Sequence, residues 1–172
     1  TETPSAAIYV RTSTGRQTTQ NQLPEVTRIA RARGLHVVQV YDETANADQV
    51  VDAAMARAKK NHKLLLLDMG GNWCPDCVVL HNLMLVPSMQ PFLAAPSAVA
   101  LVAVGKFDRN PQIGARYGYN TRLKGVPTIL VVDPQTNKVI NGEQVFALSN
   151  AGHQTPQDLA DYLARWTEPN PG

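Results

Sequence analysis

The chain has 172 residues, 44% hydrophobic and 17% charged, with 16 basic and 14 acidic residues and a net charge of +2. That length predicts one domain with at most an appendage, and a core large enough to need no disulfide or metal staple. No apolar run approaches the roughly 20 residues of a membrane helix, the composition excludes collagen, coiled coil and a disordered tail, and charge spread this evenly says nothing firm about nucleic acid.

In chain order, 7–10 reads as a short apolar strand, followed by a polar stretch, 11–21. Leu23, Val26, Ile29 and Ala30 recur at helical spacing up to Arg33, and Gly34 supplies a C-cap. His36 to Tyr41 is a strand, so the first forty residues read strand, helix, strand. The polar residues 42–48 mark a boundary. A helix from Ala47 to Asn61 follows, with Val50, Ala54 and Ala58 on its apolar face. Its basic end, Arg57 to Lys63, is read as a solvated helix terminus, where cations favour the dipole.

Lys63 to Asp68 is a buried strand, because four successive leucines leave no polar face for water. Gly70-Gly71-Asn72 breaks the chain, and a helix opens at Cys74 and runs to Val86, where Pro87 stops it. A short helix over Ser88 to Ala94, a strand over Val99 to Val104 and a short helix over Asn110 to Tyr117 come next. Thr128 to Val132 and Val139 to Asn141 read as paired strands, and Gln144 to Leu148 as a last one. Thr155, Pro156 and Asp158 open a closing helix that runs to Trp166. The order is α/β with a mixed central sheet flanked by helices.

Chemistry concentrates at the two cysteines, Cys74 and Cys77, spaced C-x-x-C. Two thiols are too few for a structural zinc site, and a bridge closing so short a loop stabilises little. A redox pair remains. At a helix start, unpaired N–H groups and the dipole favour a thiolate on Cys74, and Pro75 costs nothing in the first turn. Cys77, one turn on, faces the same way, so Cys74 is the nucleophile and Cys77 the resolving thiol. Asp76 opposes the thiolate by under about one pKa unit on the surface scale of 0.3–1 kcal/mol, which points to a reducing pair. His81, four residues past Cys77, offers a third metal ligand without a fourth, and helix packing is the alternative.

The segment Leu64-Leu-Leu-Leu-Asp68-Met-Gly-Gly-Asn-Trp73-Cys74-Pro-Asp-Cys77 resembles the active-site stretch of the thioredoxin superfamily. Phe107-Asp-Arg-Asn-Pro, Ala115-Arg-Tyr-Gly118 and Lys124-Gly-Val126-Pro127-Thr128 resemble the segment that ends at its cis-proline. The similarity spans about residues 47–168. It is nearest to bacterial thioredoxin-like disulfide isomerases, which share a Gly-x-Asn-Trp-Cys-x-Asp-Cys core. The chain departs from ordinary thioredoxin in Pro75-Asp76 between the cysteines and in extra residues around 87–98 and 120–123.

The resemblance implies a cis Pro127 facing the cysteines, Val126 pairing through its backbone with a substrate strand, Trp73 at the rim, and a buried Asp68 relaying a proton with Cys77. The alternatives are a solvent-facing Asp68, a trans turn at Pro127 and simple packing by Trp73. It also implies no cofactor and no metal, protein substrates carrying disulfides or thiols, and a redox partner with its own dithiol. It points to the periplasm, as does the missing initial Met; the cytoplasm is the alternative.

Residues 6–41 resemble the start of a serine recombinase (resolvase) catalytic domain, with Arg11 and Ser13 on that family's Arg-x-Ser positions. Phosphoryl transfer needs several converging cations, and the chain has no room for that family's remaining arginines. The expectation is therefore an N-terminal strand–helix–strand extension over 1–45, a thioredoxin-like domain over 46–168 and a loose tail over 169–172. The expected activity is thiol–disulfide exchange, as reductase or isomerase. A peptide-binding module without redox turnover and a DNA recombinase fragment are the alternatives.

Overall fold

The computed structural model describes residues 5–7, 36–38, 41–93 and 97–167. The chain divides into two compact units, Thr1–Val40 and Tyr41–Gly172. In the first, β1 (Ser5–Ala7) and β2 (His36–Val38) pair in parallel, with Ala6 opposite Val37. Parallel neighbours need a crossover connection. The helix expected there, together with Arg11 and Ser13, lies outside the described residues, as does the tail.

The second unit begins earlier than the polar stretch that marks the boundary in the sequence. Tyr41, read as a strand end, is fully buried in this unit and lies in no strand. Helix α1 (Ala47–Lys60) is capped by the Asn46 side chain, which accepts from the Gln49 amide at 3.2 Å. Arg57, Lys59 and Lys60 crowd its last turn as the dipole favours. Its buried Val51, Ala54 and Ala58 pack on β3 (Leu64–Gly70) and β4 (Ser97–Ala103).

These strands join β5 (Thr128–Asp133) and β6 (Lys138–Val139) in a mixed sheet of order β4-β3-β5-β6. β3 is parallel to β4 and antiparallel to β5, so Asp68 stands opposite Leu101 on one side and Ile129 on the other. The leucine run is thus the innermost strand, walled on both faces.

Side chains alternate along β3. Leu66 and Asp68 fall on the face covered by α2 (Pro75–Leu85) and α5 (Pro156–Thr167). There Leu66, Leu80, Met84, Leu93, Ile129, Leu159 and Leu163 form one apolar cluster. Truncating a buried leucine of this kind to alanine costs about 2–5 kcal/mol. α5 opens with a reciprocal cap: the Thr155 amide donates to Asp158 Oδ2 at 2.7 Å and the Asp158 amide to Thr155 Oγ1 at 3.2 Å.

Further segments differ from the sequence reading, among them the strand expected over Val139 to Asn141, which is β6 (Lys138–Val139) and leaves Asn141 outside the ladder. The helix expected over Ser88 to Ala94 is a 3₁₀ turn, Pro87–Met89, followed by α3 (Gln90–Leu93). The helix expected over Asn110 to Tyr117 is shorter, α4 (Pro111–Ala115), because the Gly114 carbonyl accepts both the Tyr117 and Tyr119 amides and turns the chain back.

The strand expected over Gln144 to Leu148 is a 3₁₀ helix, Gly142–Phe146. Asn141 explains it. Its side chain takes the β5 positions that a continuing strand would occupy, accepting from the Val131 amide at 2.9 Å and donating to the Ile129 carbonyl at 2.7 Å. With those groups satisfied, the backbone turns away at Gly142, whose φ is +43°.

Candidate active site

β3 ends at Gly70, and the residues that follow place the two cysteines at its C-terminal end. A side chain at Gly70 would collide with the Tyr41 ring and lie 2.9 Å from Cys77 Sγ, while one at Gly71 would lie 2.8 Å from Trp73 Cδ1. Both glycines therefore permit close approach. Asn72 clamps Tyr41 from both sides of its backbone: Oδ1 accepts the Tyr41 amide at 3.1 Å and Nδ2 donates to its carbonyl at 2.9 Å.

Cys74 is itself the N-cap of α2, with Pro75 in the first turn, and its sulfur accepts the Cys77 amide at 3.1 Å. A thiol here takes the place of the usual capping oxygen, so the helix start stabilises negative charge on it. Interaction with the Cys77 side chain is the main influence holding the Cys74 pKa below that of an ordinary thiol, with the Cys77 amide adding to it. Burial and the Asp76 charge act the other way and are outweighed.

Cys77 is fully buried, and its pKa is pushed far up, first by its interaction with Cys74, then by burial and by the Cys74 and Asp68 charges. Both thiols are free. The pair is asymmetric: one sulfur is ready to ionise, and the other holds its proton.

The Val126–Pro127 peptide bond is cis, and the Cys74 thiol donates to the Val126 carbonyl at 3.6 Å. Beneath the cysteines Asp68 is fully buried. One carboxylate oxygen accepts the Tyr41 hydroxyl at 2.8 Å, and the other has no partner among the described residues. Burial raises its pKa to about 7 despite the opposing pull of that hydrogen bond. Burial likewise lifts Tyr41 well above the ordinary tyrosine range, with the Asp68 charge adding to it.

Trp73 is half-buried at the rim, its indole donating to the Gly105 carbonyl at 2.5 Å and its ring edge-on to Phe107 at 5.8 Å. Asp76 accepts the Gly152 amide at 2.7 Å, tying α2 to the turn Ala151–His153. His81 is buried, both ring nitrogens have no partner among the described residues, and burial holds its pKa down. Among the described residues no three His, Cys, Asp or Glu side chains converge as a metal site, and no helix is long and apolar enough to cross a membrane.

Residues 46–134 match the thioredoxin-like family. A crystal structure of a disulphide isomerase from Xylella fastidiosa Temecula1 is 34% identical with a TM-score of 0.69, covering 74% of this chain and 96% of that one. The chain belongs to the thioredoxin-like family. A thioredoxin mutant from Halobacterium salinarum NRC-1 is 21% identical over 77% of this chain and 91% of its own, with a TM-score of 0.39. No curated protein matches significantly.

Within this thioredoxin-like domain the structure brings Asp68, Trp73, Cys74, Cys77, Val126 and Pro127 together. Sequence reasoning missed Tyr41 and Asn72. Asn72 lay inside the quoted motif, and the polar step after an apolar strand at Tyr41-Asp42 was the only local sign that Tyr41 ends in a special environment.

Proposed function

We propose that the protein is a thiol–disulfide oxidoreductase acting on protein disulfides through Cys74 and Cys77. The observation that carries this is the asymmetric dithiol: an N-cap sulfur held by a helix amide beside the carbonyl of a cis-proline bond, above a buried carboxyl. Family membership and likeness to a disulphide isomerase support the reading at the level of reaction class.

The chemistry follows from the asymmetry. The Cys74 thiolate attacks one sulfur of a substrate disulfide, forming a mixed disulfide and expelling the other substrate sulfur as a thiolate. Val126, whose carbonyl faces Cys74, holds the substrate backbone beside the attacking sulfur. Asp68, ionised, takes the proton from Cys77. The Cys77 thiolate then attacks Cys74 Sγ, expelling the second substrate thiolate and leaving a Cys74–Cys77 disulfide. Two electrons pass to the substrate, and a partner dithiol returns them to the pair. Cys74 alone, acting on a substrate with several cysteines, would shuffle bonds without net transfer, which is isomerisation.

Equilibration in glutathione buffers, with mass counting of alkylated thiols, tests the reading. A midpoint near about −270 mV marks a reductant, and one at about −180 mV an isomerase. A pair that forms no Cys74–Cys77 disulfide at any potential overturns the proposal.

A further inference from the structure

A cavity of about 170 Å³ has walls that include Met69, Phe107, Arg109, Asn110, Tyr119 and Arg122. Its remaining lining residues include no aspartate or glutamate. Two arginines and two asparagines, with Met69, Val104 and Leu123 as apolar lining, form a setting for one carboxylate on a short aliphatic stem. Among the described residues neither arginine pairs with a carboxylate: Arg109 donates to the Glu43 backbone carbonyl at 3.0 Å, and Arg122 lies over the Phe107 ring, 4.6 Å from its centre. Among the described residues the carboxylate ion pairs belong to Arg116. Asp108, the nearest acid in sequence, is turned to the Lys106 amide, which donates to it at 2.8 Å.

Two lining residues lie next to residues of the dithiol site. On one side Phe107 meets Trp73, the residue before Cys74, and the Lys106 ammonium stands over the indole, 4.7 Å from its ring centre. On the other, Leu123 lines the cavity three residues ahead of Val126, whose carbonyl accepts the Cys74 thiol. The first wall is preset. Gly105, Phe107 and Asn110 have φ of +58°, +68° and +53°, and the Asn110 side chain donates to the Ala103 carbonyl at 2.7 Å. A left-handed phenylalanine is uncommon and persists only where its surroundings hold it; here Trp73 and Arg122 pack on its ring. A wall already set in this way loses little freedom on binding.

We propose that this cavity is a substrate subsite that takes an acidic side chain flanking the target disulfide, between Arg109 and Arg122. It rests on the exchange reaction proposed above and adds a substrate class to it: disulfide-bearing segments with a glutamate or aspartate near the reactive cysteine.

The test uses two disulfide-bridged peptides, capped at both ends, that differ only in glutamate or glutamine beside the attacked cysteine. At low salt the glutamate peptide should be reduced with kcat/KM about tenfold higher, the scale of one charge-assisted hydrogen bond. The ratio should fall towards one in Arg109→Gln/Arg122→Gln and as ionic strength rises. Because the readout is a ratio within each protein, loss of folded material does not imitate it. A ratio near one in the native chain, or one that survives the double substitution, overturns the subsite. If neither peptide is reduced, the exchange reading fails, and the subsite is then decided by calorimetry with the same peptides carrying serine for cysteine: tighter binding of the glutamate form sustains it, and equal or no binding ends it.

Discussion

The buried carboxyl of Asp68 should make the protein less stable as pH rises, and Asp68→Asn should remove that loss. Asp68 has a folded-state pKa of about 7 against an ordinary value of 3.8. Between those values the folded chain binds more protons than the unfolded one, so stability falls with rising pH. The stabilising effect is whole below the unfolded value and is lost as pH climbs through the folded one. Integrating the difference from pH 5 to pH 8 gives about 2–3 kcal/mol, an order-of-magnitude figure. The asparagine side chain of the variant would keep an acceptor for the Tyr41 hydroxyl, and its new N–H₂ would carry a cost that does not vary with pH. The assay is urea unfolding of both proteins at pH 5, 6, 7 and 8. The variant should gain on the native chain from pH 5 to about 7 and level off by pH 8. A gap that stays constant with pH would refute the reasoning, because it would mean that Asp68 ionises in the folded state as readily as in water.

Tyr41→Phe removes the one hydrogen bond that favours the ionised Asp68 and should raise its pKa by about one to two units. The carboxyl carbon shift in NMR reads this directly, and an unmoved titration would place the Tyr41 hydroxyl outside the proton network. Cys77→Ser should accumulate a mixed disulfide on Cys74 that intact mass detects, whereas Cys74→Ser should form none with the same substrate. Asp76→Ala should lower the Cys74 pKa further, seen as faster alkylation at pH 6, because the charge opposing the thiolate is gone. Asn141→Leu strips partners from the Val131 amide and the Ile129 carbonyl and should cost about 2–4 kcal/mol in urea unfolding.

The local rules of the chain determined most of the elements and the heart of the site. Four leucines between a basic turn and two glycines can only be an inner strand, and a C-x-x-C pair with a proline after its first cysteine places a thiol at a helix start. Those are short-range facts of pattern and capping, and the structure has β3 and the Cys74 cap where they point. Tertiary structure decided the rest. Tyr41 ends a stretch that reads as a strand, yet its partner is Asp68, 27 residues away, and no local rule anticipates so distant a hydrogen bond. Residues 144–148 carry strand propensity, but Asn141 satisfies the β5 edge with a side chain, and backbone that no longer needs to pair is free to turn. The acid at position 68 was legible, but its pKa was not: burial sets it, and burial depends on α2 and α5 closing over one face of the sheet. The arginines at 109 and 122 look like ordinary surface charges in the sequence, and only the fold brings them to the lining of one cavity.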